Sequence, residues 1–387
     1  MAIDRNFFKR IYLRFKDLTI LSLANLGSTG IGVIFWFYMT ALLGPEKYGD
    51  LSYFIAIAAI ASVIATIGSG NMLIVYTSKG IKLQSSVFLV TGISGIVSSI
   101  VLFVIFHNIG VSVYTLGYII FGLASSEILG LKMYKTYAKF LILQKVLMVC
   151  LSIGLYFLWG QDGVLLGLGL SFFPFVIKLV GTLRKIPMNF SLVKERIHFM
   201  LNGYMLDLSR VFNGQIDKIV VYPVFGSTLL GNYQLGLQVL SVSVIIPSIV
   251  YQYILPQDAS GVRNIKLKKV TILLSIIISV VGIVLAPFVI PIIFPEYTES
   301  VFITQIMLLA TVPSSINLMY ISKFLGSEKS RIVLIGSGIY LIGEISAILI
   351  LGKIYGITGV AAALVLAATV EAIYLILIDR FTRNKNN

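Results

Sequence analysis

Residues 86–106 read SVFLVTGISGIVSSIVLFVIF, 21 positions without an ionisable side chain. As a helix this run rises about 30 Å, the thickness of a bilayer's hydrocarbon core. Similar runs recur from the first tens of residues almost to the last of the 387, and 58% of the chain is hydrophobic against 12% charged. That balance is far from the soluble norm and leaves little chain for a soluble domain. It argues against a secreted domain, a cytosolic enzyme and a nucleic-acid binder, in spite of a formal charge of +14. The single cysteine, Cys150, lies in an apolar run, and His107 and His198 are far apart in the chain. Neither a disulfide framework nor a Cys/His metal cluster is therefore expected, and no cofactor is implied.

Cutting the chain at charged or Gly/Pro-rich breaks predicts an all-α polytopic membrane protein of twelve transmembrane helices. They cover residues 18–42, 51–75, 86–106, 111–130, 138–159, 163–181, 201–224, 229–256, 270–294, 301–322, 331–352 and 357–379. The expected organisation is a basic amphipathic segment (1–17), a six-helix N-lobe (18–181), a basic cytoplasmic linker (182–200), a six-helix C-lobe (201–379) and a cytoplasmic tail (380–387). No small-residue cleavage site follows the first apolar run, so a cleaved signal peptide is not expected. One set of alternate connections, with both termini, carries 24 Lys and Arg, while the other set carries only Lys47 and Lys353. Basic residues near short loops stay in the cytoplasm, which places both termini there and makes the chain a multi-pass protein of the plasma membrane. Four basic residues fall within spans: Lys145, Lys178, Arg210 and Lys218.

Two passages of the first half return in the second. LGPEKYG at 43–49 has the Gly-x4-Gly spacing of FGSTLLG at 225–231, 182 residues on. WGQDGV at 159–164 reappears as YGITGV at 355–360, 196 residues on. Glycine turns can recur by chance, but these stand at matching places in a six-plus-six plan. They suggest two lobes that insert the same way up as a parallel repeat, as in secondary transporters, with a substrate cavity expected between them.

Four stretches carry a family resemblance: LLGPEKYGDLSYFIAIAAI (42–60), GQIDKIVVYPVFGSTLLGNYQLGLQVL (214–240), FPEYTESVFITQIMLLA (294–310) and YGITGVAAALVLAATVEAIYLI (355–376). With them the chain resembles, over nearly its whole length, the polysaccharide-transport flippases of the multidrug/oligosaccharidyl-lipid/polysaccharide exporter superfamily. The resemblance implies movement of a polyprenyl-linked oligosaccharide from the cytoplasmic to the outer leaflet for polysaccharide or surface-glycan synthesis. Its partners would be that lipid-linked sugar, membrane lipid and glycan-assembly proteins, with no nucleic acid. Lipid II flippases of the same superfamily have fourteen spans, so peptidoglycan precursor transport is less favoured.

An ionisable group inside the bilayer is expensive and normally faces a partner or a wet cavity. Asp207, Arg210, Gly214, Asp217 and Lys218 recur at helical intervals on span seven, with Asn213 and Gln215 beside them. Arg210, near the midplane, is a candidate for phosphate contact with Asp207 and Asp217 orienting it or coupling transport to an ion. The alternative is an Asp207–Arg210 pair that only orders the bundle. Lys145 lies about 10 Å from the cytoplasmic end of span five and is a second candidate, with snorkelling as its alternative. Lys178 is read as a snorkelling residue and Glu127 as a boundary residue. Lys218 is either a further ligand contact or the partner of Asp217. Glu344 and Glu371 could bind a coupling cation or proton, or answer one of the buried bases. Asn25, Ser28, Thr29, Gly32 and Trp36 share a face of span one, and Gln234, Gln238 and Ser241 share one of span eight. Asn25, Gln234 and Gln238 are candidate sugar contacts, although such residues also serve helix packing. Pro247 and Pro256 in span eight, and Pro287, Pro291 and Pro295 in span nine, predict bends.

A multidrug antiporter of the same superfamily is the competing reading, since it shares the twelve-span plan but would want a cavity rich in acids. A membrane enzyme of polysaccharide assembly would need a sizeable outer loop, and the longest here is under about ten residues by the predicted spans. No Walker A sequence is present.

Overall fold

The computed structural model describes residues 5–261 and 264–384. The side chains of residues 5–19, which include the basic residues of the amphipathic segment, lie outside the described residues, as do Arg263, Arg383 and Lys385. The fourteen α-helices in order are α1 (Arg5–Thr66), α2 (Ser69–Ser78), α3 (Gln84–Phe106), α4 (Ile109–Gly130), α5 (Tyr134–Leu170), α6 (Val176–Lys185), α7 (Phe190–Lys194), α8 (Ile197–Phe225), α9 (Ser227–Ser243), α10 (Ile245–Ala259), α11 (Ile265–Ile293), α12 (Ser300–Leu308), α13 (Thr311–Gly326) and α14 (Ser330–Asn384). Among the described residues there is no β-strand.

Seven of these stretches are long and apolar enough to cross a membrane, and the bent pair α9 and α10 makes an eighth. Three of the eight are far too long for one crossing: α1 has 62 residues, α14 has 55, and α5 with α6 spans 52. A straight helix of 62 residues would measure about 90 Å, three times the hydrocarbon core. Each of the three is divided at a glycine (Gly44, Gly160, Gly356) and so supplies two crossings. With α8, which is long enough to cross but carries Asp207, Arg210, Asp217 and Lys218, the crossings number twelve among the described residues, in the order read from the sequence.

The glycine hinges make the repeat physical. Gly44 has φ 72 and ψ 170, and Gly226, its counterpart, has φ 88 and ψ 172. Gly160 (φ 62, ψ −139) and Gly356 (φ 59, ψ −137) match equally well. A positive φ is costly for any residue with a Cβ, so each hinge requires what the sequence supplies. The following Pro45 opens the next helix at a position whose backbone N–H would have no partner anyway. Downstream, a side chain at Gly163 would collide with the carbonyl of Leu155, and one at Gly359 with that of Leu351. Those carbonyls are themselves 196 residues apart. Gly49 is pressed on the carbonyl of Ser227 and Gly231 on that of Pro45, a reciprocal contact between equivalent positions.

Burial repeats as well. Of the most apolar window in each helix, 22% is buried in span three (α3) and 17% in span nine (α11), against 50% in span four (α4) and 44% in span ten (α12 with α13). Spans three and nine therefore present most of their circumference to lipid, as in the exposed run Ile276, Ile277, Val280, Val281 and Val284. Small hydroxyl groups tie such helices to their neighbours: Ser275 to Ser315 at 2.7 Å, Ser243 to Thr311 at 2.8 Å, and Ser279 to the carbonyl of Leu308 at 2.8 Å.

Prolines bend some helices and spare others. Span eight bends by 46° between Ser243 and Ile245, where Pro247 denies residue 243 its hydrogen bond and crowds its carbonyl. Pro313 has the same relation to residue 309, and α12 and α13 are separated there. Span nine differs from expectation: α11 runs unbroken through Pro287 and Pro291 and ends at Ile293, two residues before Pro295.

The chain forms two compact units, one of Met1–Trp36 with Phe54–Val211, the other of Phe37–Tyr53 with Phe212–Asn387. The first has a core around Met72, Leu73, Phe88, Ile119, Leu123 and Phe175. The second is centred on Val221, Leu230, Tyr233, Ile303, Met307 and Ile348.

Candidate functional site

The polar groups of span seven do not form one stripe. The boundary between the units falls between Val211 and Phe212, so Asp207 and Arg210 belong with the first unit and Asp217 and Lys218 with the second.

In the first unit, Asp207 accepts hydrogen bonds from the Asn71 amide at 3.2 and 3.4 Å. Its Oδ1 lies 3.6 Å from Nη1 of Arg210, whose side chain is 77% exposed. That distance and exposure describe a loose pair, and an exposed guanidinium in a span needs water or an anion rather than hydrocarbon. Lys145 lies on α5 beside span one, where a Cβ added to Gly32 would stand 3.9 Å from its Nζ. Among the described residues no carboxylate forms an ion pair with Lys145. Asn25 is exposed, and its backbone carbonyl receives the Ser28 hydroxyl at 3.0 Å.

Lys178 and Glu127 are bound to one another, with Nζ 3.3 Å from Oε2 of Glu127. Thr182 donates to the other carboxylate oxygen at 2.7 Å, and Glu127 is 2% exposed. Glu127 is thus an interior residue, and Lys178 is its counter-ion besides lying near the helix end. The i to i+4 spacing of Lys178 and Thr182 was the available signal, but nothing in the sequence names span four as the source of the acid.

The second unit holds a denser, more acidic group. Lys218 Nζ reaches Oδ1 of Asp217 at 3.2 Å and the carbonyl of Gly214 at 2.8 Å, and Tyr233 donates to Oδ2 of Asp217 at 3.1 Å. Asp217 and Lys218 are both buried. Glu344 is 1% exposed. Its Oε1 accepts from Tyr340 at 3.2 Å, whereas Oε2 is buried without a hydrogen-bond partner among the described residues. Asp217 and Lys218 both act electrostatically on Glu344. Glu371 is buried too and accepts from the Asn317 amide at 2.8 Å. Gln238 accepts from Thr40 at 3.2 Å and donates to the Tyr48 hydroxyl. Gln234 has a buried amide oxygen without a hydrogen-bond partner among the described residues.

In the second unit Asp217 and Glu344 therefore share Lys218 and buried Glu371 is held by an amide, while the first offers two poorly neutralised cations. Asn71, Tyr233, Asn317 and Tyr340 complete these sites and were not singled out from sequence. Of the four, only Tyr340, four residues before Glu344 and so on the same helical face, carried a usable signal.

No family model matches the sequence, and no curated protein does. Solved structures do match. The lipid II flippase MurJ in an inward closed conformation superposes with a TM-score of 0.73 at 15% identity, covering 94% of this chain and 87% of that one. The inward-facing conformation of a multidrug resistance MATE family transporter gives 0.71 at 14% identity, with 92% and 94% covered. A MOP superfamily transporter from Pyrococcus furiosus, described as having a binding pocket of reverse polarity, gives 0.59 at 14% identity, with 95% of each chain covered. This chain has the fold of the transporters of that superfamily: an all-helical, multi-pass membrane protein of two repeated six-helix halves.

Proposed function

We propose that this protein is a flippase that moves a polyprenyl-(pyro)phosphate-linked oligosaccharide from the cytoplasmic to the outer leaflet by alternating access. The observation that carries this reading is Lys145, a membrane-embedded cation with no carboxylate partner among the described residues. Arg210, exposed and loosely paired, supports it. A pyrophosphate headgroup entering a low-dielectric space loses its hydration, and fixed cations and donors are what can replace it. Arg210 and Lys145 are the proposed phosphate contacts, with Asp207 orienting Arg210. The lipid tail stays in the bilayer while the headgroup and sugar cross. Asn25, Gln234 and Gln238 are proposed sugar contacts; of these, Gln238 has both amide groups engaged by Thr40 and Tyr48, which leaves it the weakest of the three.

Asp217, Glu344 and Glu371 are the proposed coupling groups, with Lys218 as their internal counter-charge. A buried carboxylate oxygen without a hydrogen-bond partner among the described residues, as at Glu344, is a place where a proton or small cation would be welcome. The same acids favour a second reading, a cation-coupled drug antiporter, because Asp217 and Glu344 sharing one lysine, with Glu371 answered by no base among the described residues, suit cationic cargo. The positive-inside distribution supports cytoplasmic termini in either case.

Proteoliposomes distinguish the two. Transbilayer movement of a fluorescent polyprenyl-pyrophosphate oligosaccharide, without efflux of a cationic dye from the same vesicles, supports the flippase. Dye efflux driven by an ion gradient, with the lipid-linked sugar left in place, rejects it in favour of the antiporter. A flipping rate unchanged when membrane potential and cation gradients are collapsed removes the coupling role from the acids.

A further inference from the structure

One face of span six carries Pro174, Ile177, Lys178, Gly181, Thr182 and Lys185, each three or four positions from another of the set, and Phe140 of span five stands beside it. Together they line a cavity of about 450 Å³ that lies wholly within the first unit. Phe140 is fixed from behind by the ring of Phe175, 4.6 Å away between centroids. Gly181 leaves the middle open, since a Cβ there would meet nothing within 4 Å. Ile177 is 75% exposed and Val176 and Val180 are exposed beside it, so this face looks toward lipid.

The groove is graded along its length. Pro174 and Ile177 make one end apolar, Lys178 stands between, and exposed Lys185 closes the other end. From residue 174 to 185 a helix rises about 16 Å, close to the depth of one leaflet's hydrocarbon. Lys178 is tethered to the wall by Glu127, whose other carboxylate oxygen is fixed in turn by the Thr182 hydroxyl. With Glu127 counted, the groove keeps a net positive charge, at the end of span six that the basic-residue distribution assigns to the cytoplasm. Anionic phospholipids belong to that leaflet.

We infer that this groove binds an acidic phospholipid, with an acyl chain along Pro174, Ile177 and Phe140 and the phosphate between Lys178 and Lys185. The inference needs only the membrane-spanning fold and is independent of what the protein transports.

The test is native mass spectrometry of the full-length protein, purified in detergent and offered phosphatidylglycerol and phosphatidylcholine at equal concentration. Wild type should retain phosphatidylglycerol in preference, and Lys185→Gln should weaken that preference about five-fold, the contribution of one lysine near an anionic surface. Lys185 is exposed at a helix end, so its loss should not disturb folding. Gly181→Leu, which the open space accommodates, should expel both lipids while leaving the melting temperature unchanged. Equal retention of the two phospholipids by wild type would overturn the inference. So would unchanged lipid retention in Gly181→Leu, or displacement of phosphatidylglycerol by an equal concentration of polyprenyl phosphate.

Discussion

Lys145 and Lys218 are both lysines within spans, and they live in opposite circumstances. Lys218 is buried, bound to Asp217 and to the carbonyl of Gly214, and surrounded by an excess of acid. Lys145 lies beside a glycine and pairs with no carboxylate among the described residues. A paired buried charge is part of the architecture, because removing one partner strands the other. An unpaired one adds little to stability, so its presence in a membrane calls for a ligand. The two repeated halves thus share hinges, burial and helix order, whereas the two units differ in the charge they hold: Lys145 and Arg210 in the first, the Asp217, Lys218 and Glu344 group in the second. A fold built by repetition has been given two different chemistries.

The sharpest way to break this contrast is to remove each lysine in turn. Lys218→Met should destabilise the protein by about 3–5 kcal/mol by leaving Asp217 and Glu344 without their cation, read as a large drop in melting temperature in detergent. Adding Asp217→Asn to that variant should recover most of the loss. Lys145→Met should leave the melting temperature within about 0.5 kcal/mol of wild type. Equal costs for the two would erase the distinction. Lys178→Gln should resemble the Lys218 variant in direction, because it strands Glu127.

The repeat can be tested next. Gly231→Ala places a Cβ against the carbonyl of Pro45, a backbone collision that nothing can swing away from, and Gly49→Ala does the same against Ser227. Both should cost about 1–3 kcal/mol and by similar amounts. Gly44→Ala and Gly356→Ala should each cost about 1–2 kcal/mol for forcing a side chain into positive φ. A marked inequality within the first pair would show that the equivalence is geometric but not energetic. The smallest effect is expected at the hydroxyl ties: Ser275→Ala should cost about 0.6 kcal/mol, visible only as a small shift in the same melt.

What could be read from sequence was what depends on length and local conformation. Twelve apolar runs follow from bilayer thickness, and Gly44, Gly160, Gly226 and Gly356 announced hinges because few other residues tolerate their φ. Neighbours were much less legible. Helical periodicity gives a direction around an axis but no depth and no partner, so Asp207 through Lys218 read as one stripe although Arg210 is open and Asp217 is enclosed by Tyr233 and Lys218. Glu127 passed as a boundary residue for the same reason, its partner being 51 positions away in the chain. Proline was ambiguous in another way. Pro247 bends span eight, yet Pro287 and Pro291 are absorbed in span nine without a break. The composition around each proline gave no warning of that difference.

The most direct test of the proposed function is transbilayer movement of a polyprenyl-pyrophosphate oligosaccharide in proteoliposomes containing wild type, Lys145→Ala or Lys145→Arg. The alanine variant should fold normally and move the lipid-linked sugar at least about ten-fold more slowly, the worth of one charge-assisted hydrogen bond to phosphate, while arginine retains most of the rate. A Lys145→Ala protein that flips the lipid-linked sugar as fast as wild type would contradict the assignment of the first unit's unpaired cation to the headgroup.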